Sequence, residues 1–358
     1  LATPDPHKTQ LYSHPELYHE AMLNDIKLAR SSILLEIYRF RNDKLGERYL
    51  DALVEKCTEG VQVKLLLDSW GTDVPIAFFE PIIQQGGEVR FFKKIKFFID
   101  FFTKNHRRNH RKLLIIDQRI TYIGSANLTY YSLKWRELML RIEGPIAFDF
   151  QKTFNDSYRI YNKYIFNRFS YKKSITHGSY EIVQDLPSIY RQLIKNRYEH
   201  LFSKAKHDIF IETPYFLPGY KLRQRMANAA KRGVNVNILV PYHSDVRLVD
   251  LLRTRYMEFY HKNKIKVFYY TPGNLHAKCV LIDNQTFAIG SANFDYRSFR
   301  YQHEIMLFGK NPEIVAQLRN HLDESMRSCR PFDYELWLSR PYFERIMGFL
   351  LTPFRHLF

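Results

Sequence analysis

Cysteine is scarce here and poorly placed for bonding. Cys57, Cys279 and Cys329 are the only three in 358 residues, an odd number and widely scattered. That excludes a disulfide framework and a cysteine metal knuckle, and it suits a reducing compartment. Long apolar runs are missing as well: none reaches the roughly 18 residues that a membrane-crossing helix needs. Acidic residues fall short, with 37 Asp and Glu against 54 Lys and Arg, for a formal net charge of +17. Such an excess points to a polyanionic partner, either nucleic acid or an anionic bilayer. Hydrophobic content, at 45%, is ordinary and allows a sizeable core. Aromatics, at 16% and mostly Phe and Tyr, are not ordinary. Heavy Phe usage leans toward a bilayer, although RNA-binding surfaces also use aromatic rings.

The chain is a tandem duplication. NHRKLLIIDQRITYIGSANLTYYSLKWRE, holding His110 and Glu137, is matched by LHAKCVLIDNQTFAIGSANFDYRSFRYQHE, holding His276 and Glu304. Both read His-x-Lys, four residues, Asp, then Gly-Ser-Ala-Asn beginning seven residues after the Asp. The flanking pattern repeats too. Residues 32–40 (SILLEIYRF, with Glu36) pair with 209–216 (IFIETPYF, with Glu212), and VQVKLLL at 61–67 pairs with VNVNILV at 234–240. Residues 89–92 match 265–269, and residues 113–116 and 120–123 form a strand pair carrying the first motif. Helical patterns cover residues 11–29, 46–58, 222–231 and 312–327, two of them stopping at Gly60 and Gly233. Strands alternating with helices predict an α/β fold with a largely parallel sheet in each half. The basic, weakly periodic stretch 162–178 marks the join, which gives lobes of residues 1–165 and 166–358.

Duplicated halves that present the same face pack about a pseudo-two-fold axis and would bring His110 and His276 into one cleft. Two imidazoles, two ammoniums and two carboxamides suit a phosphodiester. Lys112 and Lys278 can neutralise its non-bridging oxygens, Asn127 and Asn293 can donate hydrogen bonds, and Ser125 and Ser291 add hydroxyls for binding substrate. One histidine can attack phosphorus while the other passes a proton to the departing alkoxide and then takes one from the incoming alcohol or water. Glu137 and Glu304 are candidates to hold a ring N–H and fix the tautomer. Asp117 and Asp283 complete the candidate catalytic set, although their place before a turn suits an Asx-type turn or a supporting salt bridge. Gly124 and Gly290 are expected to let the backbone approach the phosphate. No metal or cofactor is called for, and an ammonium beside each histidine opposes a bound cation.

Residues 91–109 (FFKKIKFFIDFFTKNHRRN) interleave phenylalanine with cations directly before the first motif. This is the composition of a loop that sinks its rings into acyl chains while its cations meet anionic headgroups. Phe97, Phe98, Phe101, Phe102, Lys104, Arg107 and Arg108 are the expected membrane contacts. The tail, residues 345–358, has a similar composition, and a helix packed on the core fits it equally well.

The paired motifs resemble the HKD signatures of the phospholipase D superfamily. Nearly the whole chain is similar to bacterial cardiolipin synthases, through ILLEIYRF, GVQVKLLLDSWGT, KWRELMLRIEGP, ETPYFLPG, RGVNVNILVPYHSD, PGNLHAKCVLID and GSANFDYRSF. The resemblance implies the duplicated phospholipase D fold, two mixed or parallel sheets flanked by helices, with the active site at the pseudo-two-fold interface. It implies transfer of a phosphatidyl group between two phosphatidylglycerol molecules with release of glycerol, through a phosphohistidine at His110 with His276 as acid and base. The alternative is a phosphodiesterase of the same fold hydrolysing phospholipid or nucleic acid. Peripheral attachment to a bacterial cytoplasmic membrane is expected. Relatives usually carry two N-terminal spans and this chain opens at Leu1, which leaves room for an anchor outside it.

Overall fold

The computed structural model describes residues 6–92, 107–161, 174–188 and 190–353. The N-terminal lobe runs β1 (Lys8–Tyr12), α1 (Pro15–Lys27), β2 (Ser32–Ile37), α2 (Lys44–Thr58), β3 (Gln62–Asp68), α3 (Glu80–Gln84) and β4 (Glu88–Phe92). It continues through β5 (Arg108–Asn109), β6 (Lys112–Ile116), β7 (Ile120–Gly124), β8 (Met139–Glu143) and α4 (Ile146–Ile160). The C-terminal lobe runs β9 (Ser174–His177), β10 (Tyr180–Asp185), α5 (Leu193–Lys204), β11 (Asp208–Glu212), α6 (Tyr220–Lys231), β12 (Asn235–Pro241), α7 (Arg247–Thr254), α8 (Met257–Lys262) and β13 (Lys266–Tyr270). It ends with β14 (Cys279–Ile282), β15 (Thr286–Gly290), α9 (Tyr296–Tyr301), β16 (Gln302–Gly309), α10 (Pro312–Arg327), β17 (Cys329–Pro331), α11 (Tyr334–Leu338) and α12 (Tyr342–Leu351). The expected join, residues 162–178, lies mostly outside the described residues.

The sheets are mixed rather than largely parallel. In the first, ordered β1-β8-β7-β6-β2-β3-β4, only β2, β3 and β4 run parallel; in the second, the parallel set is β11, β12 and β13. The cause is local. Asp117 and Gln118, like Asp283 and Asn284, sit at positive φ of about 50° within tight three-residue turns, 117–119 and 283–285, that pair Ile116 with Ile120 and Ile282 with Thr286. Such a turn returns the chain antiparallel, so β6–β7 and β14–β15 cannot be crossover units. The duplication survives in the order: β8-β7-β6-β2-β3-β4 is repeated as β16-β15-β14-β11-β12-β13.

Sequence patterning also misplaced the start of the first helix. Residues 11 and 12 close β1, an edge strand pairing antiparallel with β8, and α1 starts only at Pro15, whose missing N–H costs nothing in a first helical turn. β11 likewise ends at Glu212, four residues short of the expected end at 216.

Strands buried on both faces explain the unbroken apolar runs. In β6, Leu113 and Ile115 join an apolar cluster that also contains Leu281, Ile289 and Ile305 of the other lobe, while Leu114 and Ile116 join the outer core of their own lobe. β14 divides the same way: Cys279 and Leu281 enter the shared cluster, Val280 and Ile282 the outer core of the C-terminal lobe. The two motif strands are therefore fixed from both sides. Among the described residues, no helix is long and apolar enough to cross a membrane.

Candidate active site

Each motif histidine is stitched to the opposite lobe. β5, just before His110, pairs in parallel with the start of β16, and the His110 N–H donates to the His303 carbonyl at 3.0 Å. In mirror fashion Arg136 bridges to Leu275, and the His276 N–H donates to the Arg136 carbonyl at 2.7 Å. The residue following each of those carbonyls is a glutamate. Glu304 therefore meets His110 (Nδ1–Oε1 3.0 Å), and Glu137 meets His276 (Nδ1–Oε1 2.7 Å). Both carboxyls are wholly buried. Each imidazole donates from Nδ1, which leaves Nε2 as the basic nitrogen.

Both histidines line one cleft at the lobe interface, as does each lobe's asparagine, Asn127 and Asn293. Both carboxamides are nearly buried, and neither Oδ1 has a hydrogen-bond partner. Lys112 Nζ donates to the His110 carbonyl at 2.6 Å, and Lys278 Nζ donates to the His276 carbonyl at 2.7 Å and lies 3.2 Å from His276 Nε2. Lys278 thus stands beside the free ring nitrogen of His276, and Lys112 is tied to the backbone of His110. Tyr38 packs edge-on to His110 with centroids 5.0 Å apart, and Trp135 is tilted against His276 at 5.2 Å.

The electrostatics of the two halves differ. Burial, reinforced by Lys112, Lys278, His276 and Arg297, holds the His110 imidazole well below its ordinary pKa. Burial pushes the Glu304 carboxyl up to about 8, against the pull of Lys112 and its hydrogen bonds. In either state of that carboxyl, Oε1 can accept from Nδ1, so the direction that matters is an uncharged His110. Burial also lowers His276, but Glu137 opposes it. Burial works to raise Glu137, yet His276 and Lys278 outweigh it and keep the carboxylate ionised. Burial lowers both lysines, Lys278 to about 8 and Lys112 well below its ordinary value, with Lys278 itself adding to the lowering of Lys112.

Several sequence-based expectations change. Ser125 and Ser291 are fully buried, each hydroxyl donating to the second oxygen of its own lobe's glutamate and accepting from Leu138 N–H or Ile305 N–H, both at 3.0 Å. They fix the carboxylates and do not face the cleft. Asp117 and Asp283 stand away from it as well. Asp117 accepts from the Arg30, Ser31 and Ser32 N–H groups at 2.7–2.9 Å, and Asp283 accepts from those of Lys206, His207 and Asp208. Both tie a hairpin turn to the start of a neighbouring strand, the supporting role their position suited. Gly124 and Gly290 answer to the neighbouring strand rather than to phosphate: a Cβ would lie 2.1 Å from the Leu138 carbonyl and 2.2 Å from that of Ile305.

Arg108 is no membrane contact. It is wholly buried, its guanidinium paired with the equally buried Asp68 at 2.9 Å. Arg107 beside it is half-buried. Phe97, Phe98, Phe101, Phe102 and Lys104 lie outside the described residues.

Sequence reasoning passed over Tyr38, Arg39, Trp135, Tyr215, Asp245 and Arg297, which also line the cleft. A signal was present in the repeat, since Tyr38 and Tyr215 each follow a strand carrying the matched Glu36 or Glu212. Those two glutamates are neutralised differently. Glu36 accepts from Asn109 Nδ2 at 2.7 Å beside Arg111, whereas Glu212 meets His321 Nε2 at 3.1 Å. Among the described residues, Glu212, Cys279 and His321 are the one group whose donor atoms cluster as a metal's ligands might, within 4.8 Å. Both nitrogens of His321 are already engaged, by Glu212 and by Ser13 at 2.7 Å, and the Arg136 guanidinium bonds the His321 carbonyl at 2.9 Å. The cluster is thus a buried polar pair close to a fixed cation.

A duplicated α/β scaffold with one histidine-paired cleft between its lobes defines a phospholipase D-type protein. The family described as "Cardiolipin synthase, PLD-like domain" matches residues 22–158 and 198–326, and this chain belongs to that family. It is 33% identical to the major cardiolipin synthase ClsA of Bacillus subtilis (strain 168) over 350 residues, covering 93% of this chain and 72% of the relative. A cardiolipin synthase of Listeria welshimeri is 32% identical over 352 residues with the same coverage. Among solved structures, a phosphatidylserine synthase of Haemophilus influenzae Rd KW20 superposes with a TM-score of 0.77 at 14% identity, covering 98% of this chain and 95% of that one. A polyphosphate kinase of Porphyromonas gingivalis gives 0.65 at 12% identity, over 98% and 54%. At these identities the structural matches speak for the fold alone.

Proposed function

We propose that the chain is a cardiolipin synthase that transfers a phosphatidyl group from one phosphatidylglycerol to another. One observation carries the reading: two imidazoles on one cleft, each oriented through Nδ1 by the other lobe's glutamate. Neutral His110 attacks phosphorus through Nε2. The P–O bond to the headgroup glycerol breaks, and the leaving alkoxide takes the proton of His276. The phosphatidyl group is then held as a phosphohistidine. A hydroxyl of the second phosphatidylglycerol, losing its proton to His276, attacks phosphorus and expels His110, giving cardiolipin and restoring both histidines. The charge pattern supports this division: burial lowers both imidazoles, but neighbouring cations add to the lowering at His110, whereas ionised Glu137 works against it at His276 and favours the imidazolium there. Lys112 and Lys278, with the amide groups of Asn127 and Asn293, offset the charge that builds on the non-bridging oxygens.

The test is incubation of the purified chain with phosphatidylglycerol vesicles and separation of the products. Cardiolipin and glycerol in equal amounts are expected. Phosphatidic acid without cardiolipin would make the chain a hydrolase. Cleavage of oligonucleotides with phosphatidylglycerol untouched would make it a nuclease, the alternative that the +17 charge motivates.

A further inference from the structure

The C-terminal helix α12 is built inside out for a helix packed on a core. It touches the body through Gly348, buried where a Cβ would lie 3.8 Å from the Leu251 carbonyl of α7, and through Leu351, packed against a small buried cluster of Leu217, Val249 and Leu252. Met347 is half-buried, but the other apolar side chains point away. Tyr342, Phe343, Phe349 and Leu350 are 75%, 71%, 65% and 55% exposed, and Ile346 is exposed between them. At 3.6 residues per turn these five positions form one stripe about 120° wide, opposite the side held by Gly348 and Leu351. Sequence composition alone left this tail equally suited to core packing or to a bilayer; the burial pattern separates the two.

We infer that the outward stripe of α12 is the surface by which the enzyme docks on an anionic phospholipid bilayer, beside the mouth of its lipid-binding cleft. Two further observations select that occupant. The first is charge. Exposed Arg345 lies on the flank of the stripe, the Arg255 guanidinium stacks 5.2 Å from the Phe349 ring, and exposed Arg247 opens α7. Rings entering acyl chains with cations held at headgroup level is the arrangement of an interfacial helix. A second copy of a chain carrying +17 would bring the same arginines face to face. The second observation is continuity with the site. Val249 of α7 lines the cleft with His110 and His276, and it belongs to the cluster that seats Leu351. Only one layer of side chains separates the docking helix from the cleft wall, so a substrate whose tails remain in the bilayer is presented next to the reacting histidines.

The inference rests on the lipid reading of the cleft, and its test is kept separate from turnover to cardiolipin. The full chain and a Phe343→Ser/Phe349→Ser/Leu350→Ser variant are sedimented with vesicles of equal phosphatidylglycerol and phosphatidylcholine, and with phosphatidylcholine alone. The parent should bind the anionic vesicles, and the triple variant should bind them at least tenfold more weakly. Its turnover of dispersed short-chain phosphatidylglycerol should stay within twofold of the parent. Phe349→Trp, which retains the apolar surface should the triple variant misfold, should show emission beyond the parent's that brominated acyl chains quench. Binding within twofold of the parent in the triple variant, or no quenching at Trp in Phe349→Trp, would overturn the assignment. So would concentration-dependent dimerisation abolished by the same three substitutions, which would give the stripe to a second copy. A chain that docks through this face yet makes no cardiolipin would remove the proposed reaction and leave the surface standing.

Discussion

Replacing Glu137 with glutamine tests the division of labour between the histidines most directly. The carboxylate is wholly buried, 2.7 Å from His276 Nδ1, and reaches it from the other lobe. Glutamine is nearly isosteric and can still accept from Nδ1 through its oxygen. Its amide can donate to Ser125, whose hydroxyl is free to turn toward the Leu138 carbonyl 3.2 Å away. The geometry is therefore kept and the negative charge lost. A hydrogen bond to a charged group is worth about 1.5–3 kcal/mol, so if that charge serves the transition state, kcat falls roughly 10- to 100-fold. The pH profile carries the sign. The carboxylate stabilises the imidazolium, so its removal lowers the pKa of His276, and the alkaline limb of kcat moves to lower pH. The leaving group supplies an internal control. With a nitrophenyl phosphodiester, whose nitrophenolate departs without a proton, formation of the adduct by Glu137→Gln should match the parent. Glu304→Gln, acting on the attacking histidine, should slow adduct formation whatever the leaving group. The reasoning fails if the alkaline limb stays in place, or if Glu304→Gln is the variant that a good leaving group rescues.

His110→Ala should abolish turnover and the covalent adduct together, whereas His276→Ala should let an adduct build up from an activated substrate; mass spectrometry of the quenched protein separates them, and the reverse result inverts the assignment. Arg108→Ala leaves Asp68 as an unpaired charge with no solvent access, and loss of about 3–5 kcal/mol of stability by urea denaturation is expected, against almost nothing for a solvated loop arginine. Asp117, held below the ordinary carboxylate range by backbone N–H groups despite partial burial, contributes stability that is fully present above its unfolded pKa of about 3.9 and is lost as the pH falls through its lower folded value. Asp117→Asn should therefore melt lower than the parent at pH 7 yet lose less of its Tm between pH 5 and pH 2.5; parallel melting curves for the two proteins over that range would count against the tie between turn and strand.

Periodicity and repetition exposed most of the scaffold because both are local. The strand and helix runs of each half, the turn at each motif Asp and the candidates His110, Lys112, His276 and Lys278 are visible in short windows of sequence. What stayed hidden depends on pairing across the duplication. Nothing near residue 110 says that its backbone joins residue 303, so which glutamate orients which histidine could not be assigned. Ser125 looked like a ligand because a hydroxyl after a glycine is free in principle, and only the approach of β8 shows its bonds consumed. Arg108 looked solvated in a basic run; its partner Asp68 stands at the end of β3, forty residues earlier. The parallel sheet was over-counted because the tight turns at Asp117 and Asp283 were not weighed against the crossover pattern.

The duplication explains the fold but not the asymmetry of the chemistry, which arises where the copies have drifted. Arg111 follows His110 and stands beside Glu36, whereas Ala277 holds the equivalent place and Glu212 takes its partner from His321 on α10. Arg297 adds to the cations that disfavour a charge on His110, while Asp245, on the C-terminal wall of the cleft, joins Glu137 in favouring one on His276. Two imidazoles in equivalent frames are thereby set unequally: burial lowers both, but the cations around His110 deepen the lowering and leave it a free lone pair, while Glu137 and Asp245 work against it to hold a proton on His276. A displacement at phosphorus needs both at once. A perfectly symmetric dimer of half-chains could supply them only by a transient imbalance of protons; in a single fused chain the imbalance is written into the side chains.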